Sequence, residues 1–462
     1  MHSAPKTKLW VICPVCQQAN RPGTQFCEHC WATIPHSLQP VSLQELDEIQ
    51  KRELTRLKRR KIIKAIKVSF ISLIILASAL YPGLYYYTDA VSKPTPGLNS
   101  NSPSGEWAMF RHDLGRTGAT GLSSVLPQGT IKWIFPTSGP VHSSPAVVGG
   151  MVYVGSDDGK LYALDATNGT KRWEYQTDSW VESSPSIVNG TVYFSSNDGK
   201  LYALDAHNGR KLWDFKTSST VMSSPAVANG IVYFGADNYY LYALDATTGA
   251  KLWDFQTNGY VKSSPMVFNG VVFFGSYDNF CYALHAPSGR CRLRIESGSP
   301  VFTSPAVNDN IVYFSKSNGF LYAIDASARN WPLEYEIKFW WNQLGIRFLA
   351  PLPPPPTGFL WALKLGKTTD SSPAVADGTL FVGSSNKLLA FDLKSQQTLW
   401  EFVTGGTITS SPAVAATTVF VGSEDNHLYA VNAITGEEIW NISTGGKVTS
   451  SPALADGIVY IG

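Results

Sequence analysis

The sequence predicts an all-β protein: an eight-bladed propeller preceded by a small metal-binding module and a single transmembrane helix. Three observations carry this expectation. Ser/Thr-Ser-Pro recurs eight times, with prolines at Pro145, Pro185, Pro225, Pro265, Pro305, Pro373, Pro412 and Pro452, spaced by 40, 40, 40, 40, 68, 39 and 40 residues. A tryptophan recurs at Trp133, Trp173, Trp213, Trp253, Trp361, Trp400 and Trp440. Before the first repeat stand two Cys-x-x-Cys pairs and an uncharged run. A fixed period of this size marks supersecondary units that bury their apolar faces only against neighbours.

One unit, SSPAVANGIVYFGADNYYLYALDATTGAKLWDF from Ser223 to Phe255, reads as four short strands. Runs rich in Val, Ile, Tyr and Phe are separated by turn signals at Asn229-Gly230, Asp237-Asn238 and Thr248-Gly249. Four antiparallel strands per repeat is blade geometry. The fourth-strand tryptophan suits the gap between blades, where a large ring displaces much water.

The motif A-x-D-x-x-T/N-G-x-x-x-W stands at Ala163 to Trp173, Ala203 to Trp213 and Ala243 to Trp253. It resembles the tryptophan-docking motif of PQQ-like propellers, a family that includes quinoprotein alcohol and glucose dehydrogenases and the non-enzymatic BamB-type proteins of outer-membrane barrel assembly. The resemblance covers about residues 105 to 462. It departs at Leu293 (for Trp), at His285 (for Asp) and in AFDLKSQQTLW at 390 to 400, which lacks the Gly. After IVYIG at 458 to 462 the last unit has only two strands, and Trp133 on IKWIF is placed to add a strand from the N-terminal side. By comparison with the other repeats, roughly ten to fifteen further residues are expected after Gly462.

The propeller is expected over 106–462, with an insertion at 327–360 between the third and fourth strands of the fifth unit. Phe339-Trp340-Trp341 and Phe348-Leu349 are too apolar for an ordinary loop, and Pro353 to Pro356 forces an extended stretch. Two readings stand: partner or membrane-surface contact, and a loop folded back over its own blade.

Length allows about three parts. A net charge of +2 with 16% charged residues gives no reason to expect nucleic acid. Basicity is local: nine basic residues lie between Lys51 and Lys67, before the uncharged run Val68 to Tyr87. This pattern predicts a basic juxtamembrane helix at 42–67, a transmembrane helix at 68–87 and a flexible linker at 88–105. The positive flank places the N-terminus in the cytoplasm and the propeller outside it, as a single-pass membrane protein. Leu43, Leu46, Ile49, Leu54 and Leu57 form a partial apolar stripe, which suggests either a homodimer through 43–57 or a solvated helix whose basic end meets anionic lipid.

Cys13-x-x-Cys16 and Cys27-x-x-Cys30 give four thiolates that meet tetrahedrally around one ion, and the stretch 9–34 resembles a zinc ribbon holding a structural zinc. Cys281 and Cys291 flank a turn in one unit, where a cross-strand disulfide and two buried thiols are both open readings.

The repeats align on themselves, and the position before each Ser/Thr-Ser-Pro varies: His142, Glu182, Met222, Lys262, Phe302, Asp370, Thr409 and Thr449. These positions ring the channel mouth, so His142, Glu182, Lys262 and Asp370 are the candidate ligand residues. No catalytic residue is assigned. In the quinoprotein dehydrogenases the resemblance implies PQQ over calcium, usually with a disulfide between adjacent cysteines. This chain has no adjacent pair, so neither cofactor is expected. Asp157-Asp158-Gly159, Asn197-Asp198-Gly199 and Glu424-Asp425-Asn426 read as turns rather than metal loops. The expected function is a non-enzymatic scaffold that binds other proteins through its propeller face and the insertion, with envelope protein assembly as one use. The alternatives are a PQQ-dependent oxidoreductase and a ligand sensor that signals through the cysteine module.

Overall fold

The computed structural model describes residues 9–87, 106–113, 115–120, 126–347, 351–368 and 370–462, with backbone alone at 50, 53, 75–87 and 120. The expected linker at 88–105 lies outside the described residues, as does the Phe348-Leu349 pair. The chain divides into two compact units, Met1–Pro82 and Gly83–Gly462.

In the first unit a short antiparallel pair, Val11–Ile12 with Ala19–Asn20, precedes helix α1, Leu43–Tyr87. A capping box starts α1. The Glu45 amide donates to Ser42 Oγ at 3.4 Å, and the Ser42 amide donates to Glu45 Oε2 at 2.9 Å, so two otherwise orphaned N–H groups are satisfied. The expected transmembrane helix at 68–87 is not found. These residues end α1, and among the described residues no helix is long and apolar enough to cross a membrane. The physical reason lies in the run itself: from Pro82 it turns into Gly and tyrosines, and Val68 to Tyr81 is 14 residues, short of the roughly 20 a bilayer requires.

The second unit is a propeller of seven blades, not the expected eight. Seven units of four antiparallel strands follow one another at 146–176, 186–216, 226–256, 266–296, 306–364, 374–403 and 413–443, the last extended by a fifth strand. The eighth Ser-Ser-Pro leads only into a two-stranded hairpin, Ala453–Ala455 with Ile458–Tyr460. The signature marks the entry to an innermost strand, and a blade requires three more strands outside it. The hairpin and residues 126–135 instead close the gap between blade seven and blade one. Trp440 of blade seven donates to Pro127 O at 3.1 Å, Trp133 donates to Ala166 O at 3.0 Å, and Tyr460 Oη donates to the same carbonyl at 3.2 Å.

Two repeated contacts join the blades. The indoles of Trp173, Trp213 and Trp253 each donate to an alanine carbonyl of the next blade (Ala206, Ala246 and Ala286) at 3.0 Å. Their rings lie on Gly209, Gly249 and Gly289, where an added Cβ would come within 2.6–2.7 Å of the indole. These glycines have φ between +67° and +73°, a region that other residues enter at a cost. Nearer the axis, each second serine of the signature donates its amide to the hydroxyl of the next. The chain of bonds runs from Ser144 to Ser184 and onward, until Ser451 returns to Ser144 at 2.9 Å.

Residues 106–120 cross the innermost strands. Trp107 bridges Val147, the Ala108 carbonyl accepts from Ile187, Gly115 from Val307, Thr117 from Val375 and Gly118 from Val414. Ala119–Thr120 then adds a parallel strand to blade seven. This non-repeating segment thus bonds to blades one, two, five, six and seven.

Replacing Trp213 by Ala removes a half-buried ring and one bond to the next blade. It should lower stability by about 2–4 kcal/mol, read as a shift of the urea midpoint of the full chain, whereas Leu212→Ala on the exposed side of the same strand should shift it little.

Candidate binding surfaces and metal centre

The sulphurs of Cys13, Cys16, Cys27 and Cys30 all lie within 4.8 Å of one another, with Cys16–Cys27 at 3.3 Å and Cys13–Cys30 at 3.7 Å. Thiolates at about 2.3 Å from a tetrahedral ion stand about 3.8 Å apart, so the set fits such an ion. Each Cys-x-x-Cys folds back on itself, the Gln17 amide donating to Cys13 O and the Trp31 amide to Cys27 O. Outer groups orient Cys27: the His29 amide points at its sulphur at 3.4 Å, and the buried Asn20 amide nitrogen lies 3.6 Å away while its oxygen accepts from Glu28. Backbone and side-chain hydrogen bonds hold the Cys27 thiol down to about 6 against the opposing effect of desolvation.

Three of the four sequence candidates, His142, Glu182 and Lys262, each sit beside a polar partner. His142 Nδ1 meets Thr449 Oγ1 at 2.9 Å, and its Nε2 lies 3.5 Å from Asp157. Glu182 accepts from Asn197 at 3.1 Å. Lys262 is 3.7 Å from Asp237 and 5.7 Å from the rings of both Tyr260 and Tyr277. Desolvation and the nearby Glu424 carboxylate push Asp370 up, and desolvation with Glu182 and Asp158 does the same to Asp157. Among the described residues the four cysteines are the one group of three or more His, Cys, Asp or Glu close enough to share an ion. The repeated Asp residues lock turns: Asp158, Asp198 and Asp278 accept from Tyr162, Tyr202 and Tyr282 at 2.6, 2.6 and 2.7 Å.

The insertion carries helix α2, Glu334–Ile346, between the third and fourth strands of blade five. Its polar side is pinned. Buried Glu334 accepts from Lys338 and the Thr357 amide, both at 2.7 Å, and from Asn330 at 2.9 Å. Those bonds hold its carboxyl below the ordinary range although burial opposes them. Glu336 pairs with Arg294 of blade four at 2.9 Å, and the Arg294 guanidinium lies 4.3 Å from the centre of the Tyr335 ring. Apolar side chains are exposed on two faces: Ile337 (45% exposed), Trp340 (68%) and Leu344 (46%) share one, and Phe339 (46%) and Ile346 (59%) lie on the opposite one. The insertion also explains Leu293. Where other blades lay a tryptophan on the next turn, Leu293 lies against Gly358 at the end of the insertion, which fills the space of the missing ring.

Cys281 and Cys291 are free thiols. A bulge shifts the register so that Cys281 opposes Ile295 and Cys291 opposes Leu284, and the two pack into different interblade cores. Burial pushes both up, Cys291 to about 11. Sequence reasoning missed two fully buried arginines of the crossing segment, Arg111 and Arg116. The one signal was FRHDLGRTG itself, charged and unlike any repeat.

The family described as "Outer membrane protein assembly factor BamB" matches residues 119–254, 237–334 and 355–462, well over half of the chain, and the chain belongs to that family of PQQ-like propellers. No curated protein matches it. Among solved structures it is similar to a europium-containing methanol dehydrogenase, with TM-score 0.63 and 16% identity over 78% of this chain and 90% of that one. A quinohemoprotein alcohol dehydrogenase from Comamonas testosteroni gives 0.63 and 15% over 78% and 77%. BamB from Moraxella catarrhalis gives 0.55 and 16% over 71% and 94%. At such identities the likeness is one of fold, and the fold hosts both dehydrogenases and BamB.

Metal analysis of the purified full chain should give about one divalent ion per chain, released by a thiol reagent and lost in Cys27→Ser. The anchor of α2 should depend on pH. Because its hydrogen bonds hold the Glu334 carboxyl below the ordinary carboxylate range, its contribution is fully present at neutral pH and is lost as pH falls through the lowered folded value. Protease cleavage within 334–346 should therefore accelerate on acidification below the ordinary carboxylate range, and Glu334→Gln should show the faster cleavage already at neutral pH.

Proposed function

We propose that this chain is a non-enzymatic, envelope-associated binding propeller that docks a protein partner on the outward face of α2, with a structural zinc in the four-cysteine module. The observation that carries the reading is the exposed apolar surface of α2. Glu334, Glu336 and Lys338 are spent on blade four and on the insertion's own groups, while Ile337, Trp340 and Leu344 form one exposed apolar face. Such a face is the mark of an interaction surface. The family description supports an assembly role for that surface.

A second reading, a PQQ-dependent oxidoreductase, is favoured by one observation, the likeness in fold to two alcohol dehydrogenases. The acidic, unclustered mouth speaks against it.

A photo-crosslinking residue in place of Trp340 in cells should give one discrete adduct. The adduct should fall at least tenfold when Ile337→Ser and Leu344→Ser are added, since apolar anchors dominate such interfaces, with the melting curve of the propeller unchanged. Adduct formation indifferent to those substitutions, or none in cells that contain the folded chain, contradicts the proposal.

A further inference from the structure

Helix α1 carries nine basic residues from Lys51 to Lys67, and from Leu54 to its end at Tyr87 it has no Asp or Glu. The first cations are balanced within the helix: Lys51 pairs with Asp47 at 2.7 Å and Arg52 with Glu48 at 3.8 Å. Further along, Lys58, Arg59, Arg60, Lys61, Lys64 and Lys67 make no ion pair among the described residues. Every residue from Leu54 to Ile74 is exposed, so nothing among the described residues covers this length of helix.

The exposed residues are ordered. Ile62, Ile63, Ile66, Phe70, Leu73 and Ile74 fall on one face about 120° wide at 3.6 residues per turn, each of them 52–67% exposed. Arg60, Lys61, Lys64 and Lys67 fall on the other side. Beyond Lys67 the charge ends, and Val68 and Ile71 carry apolar surface around to that second side. A helix draws most of its stability from burying such a face. Its cover has to bring negative charge and apolar depth together along the whole stretch. A groove on a protein would take the stripe and leave the cations, Val68 and Ile71 outside it. An anionic bilayer surface supplies both, with headgroups for Lys and Arg and the acyl boundary for the apolar face.

We infer that residues 58–74 of α1 bind the surface of an anionic lipid bilayer, lying in the interface rather than crossing it. The stripe from Ile62 to Ile74 enters the acyl boundary, and the cations on the other side stay with the headgroups. No spanning is needed, in keeping with an apolar run too short for it. The inference deepens the envelope-associated part of the reading above and rests on that part, not on the α2 surface.

The test is flotation of the purified full chain with vesicles of phosphatidylcholine alone or with one-third phosphatidylglycerol. At low salt the chain should float with the anionic vesicles and bind the neutral ones at least tenfold more weakly. Molar salt should weaken the anionic binding at least tenfold, because each cation near the surface adds to it and salt screens that attraction. Lys61→Glu with Lys64→Glu should remove the preference for anionic vesicles. Ile66→Ser with Phe70→Ser should weaken binding to them at least tenfold, and the melting curve of the propeller should be unchanged in both variants. The comparison of lipids and salts needs no variant. A folded chain that floats with neither vesicle, floats with both alike, or stays bound in molar salt would overturn the inference. The first outcome leaves the α1 stripe to a protein partner, and crosslinking at Trp340 still reads the α2 surface separately.

Discussion

The structure depends on the closed ring of serine contacts around the axis. Each blade gives one buried backbone N–H to its neighbour's hydroxyl, and the sequence ends of the propeller meet where Ser451 donates to Ser144. Any one bond contributes about 1 kcal/mol net, but an orphaned buried donor costs about 1–3 kcal/mol. Closure therefore has to be complete, and it explains why the chain continues past blade seven: the hairpin at 453–460 brings the last serine into place and, with residues 126–135, covers edges that would otherwise be exposed. The proline after each serine removes a donor at a place where none is accepted and holds the chain extended into the innermost strand.

Around this ring the tryptophans act as spacers whose removal must be made good locally. Blade four shows how. Its tryptophan position is Leu293, and the adjoining turn of blade five has grown into the segment that carries α2. Loss of the ring and gain of the insertion are one change in packing, since Gly358 and Leu293 now fill what an indole fills elsewhere. The same change puts an apolar helix face on the propeller wall. A departure from the repeat thus marks the surface on which the functional proposal rests.

The repeat, the strand pattern and the docking tryptophans were legible because each unit sees the same surroundings as the next, so that local pattern and tertiary packing coincide. The blade count was not, since Ser451-Pro452 reports an innermost strand and nothing about the three that would follow. The membrane helix was overread: hydropathy at 68–81 is high, but Pro82, Gly83 and the tyrosines beyond it shorten the apolar run. The proximity of the four cysteines was foreseeable from spacing alone, because two tight knuckles leave their thiolates little choice of neighbours. The crossing segment was invisible. Arg111 and Arg116 take their meaning from Pro373, Pro265 and Ser224, residues more than a hundred positions away, and no local pattern encodes such contacts.

A binding propeller and a quinoprotein enzyme share this fold, and what separates them is whether the mouth at His142, Glu182, Lys262 and Asp370 holds a cofactor. The most direct measurement is titration of the full chain with PQQ and calcium, following cofactor absorbance and the reduction of a dye by alcohols. The account predicts neither saturable binding nor turnover by a folded protein. Stoichiometric PQQ binding with alcohol-dependent dye reduction would contradict it.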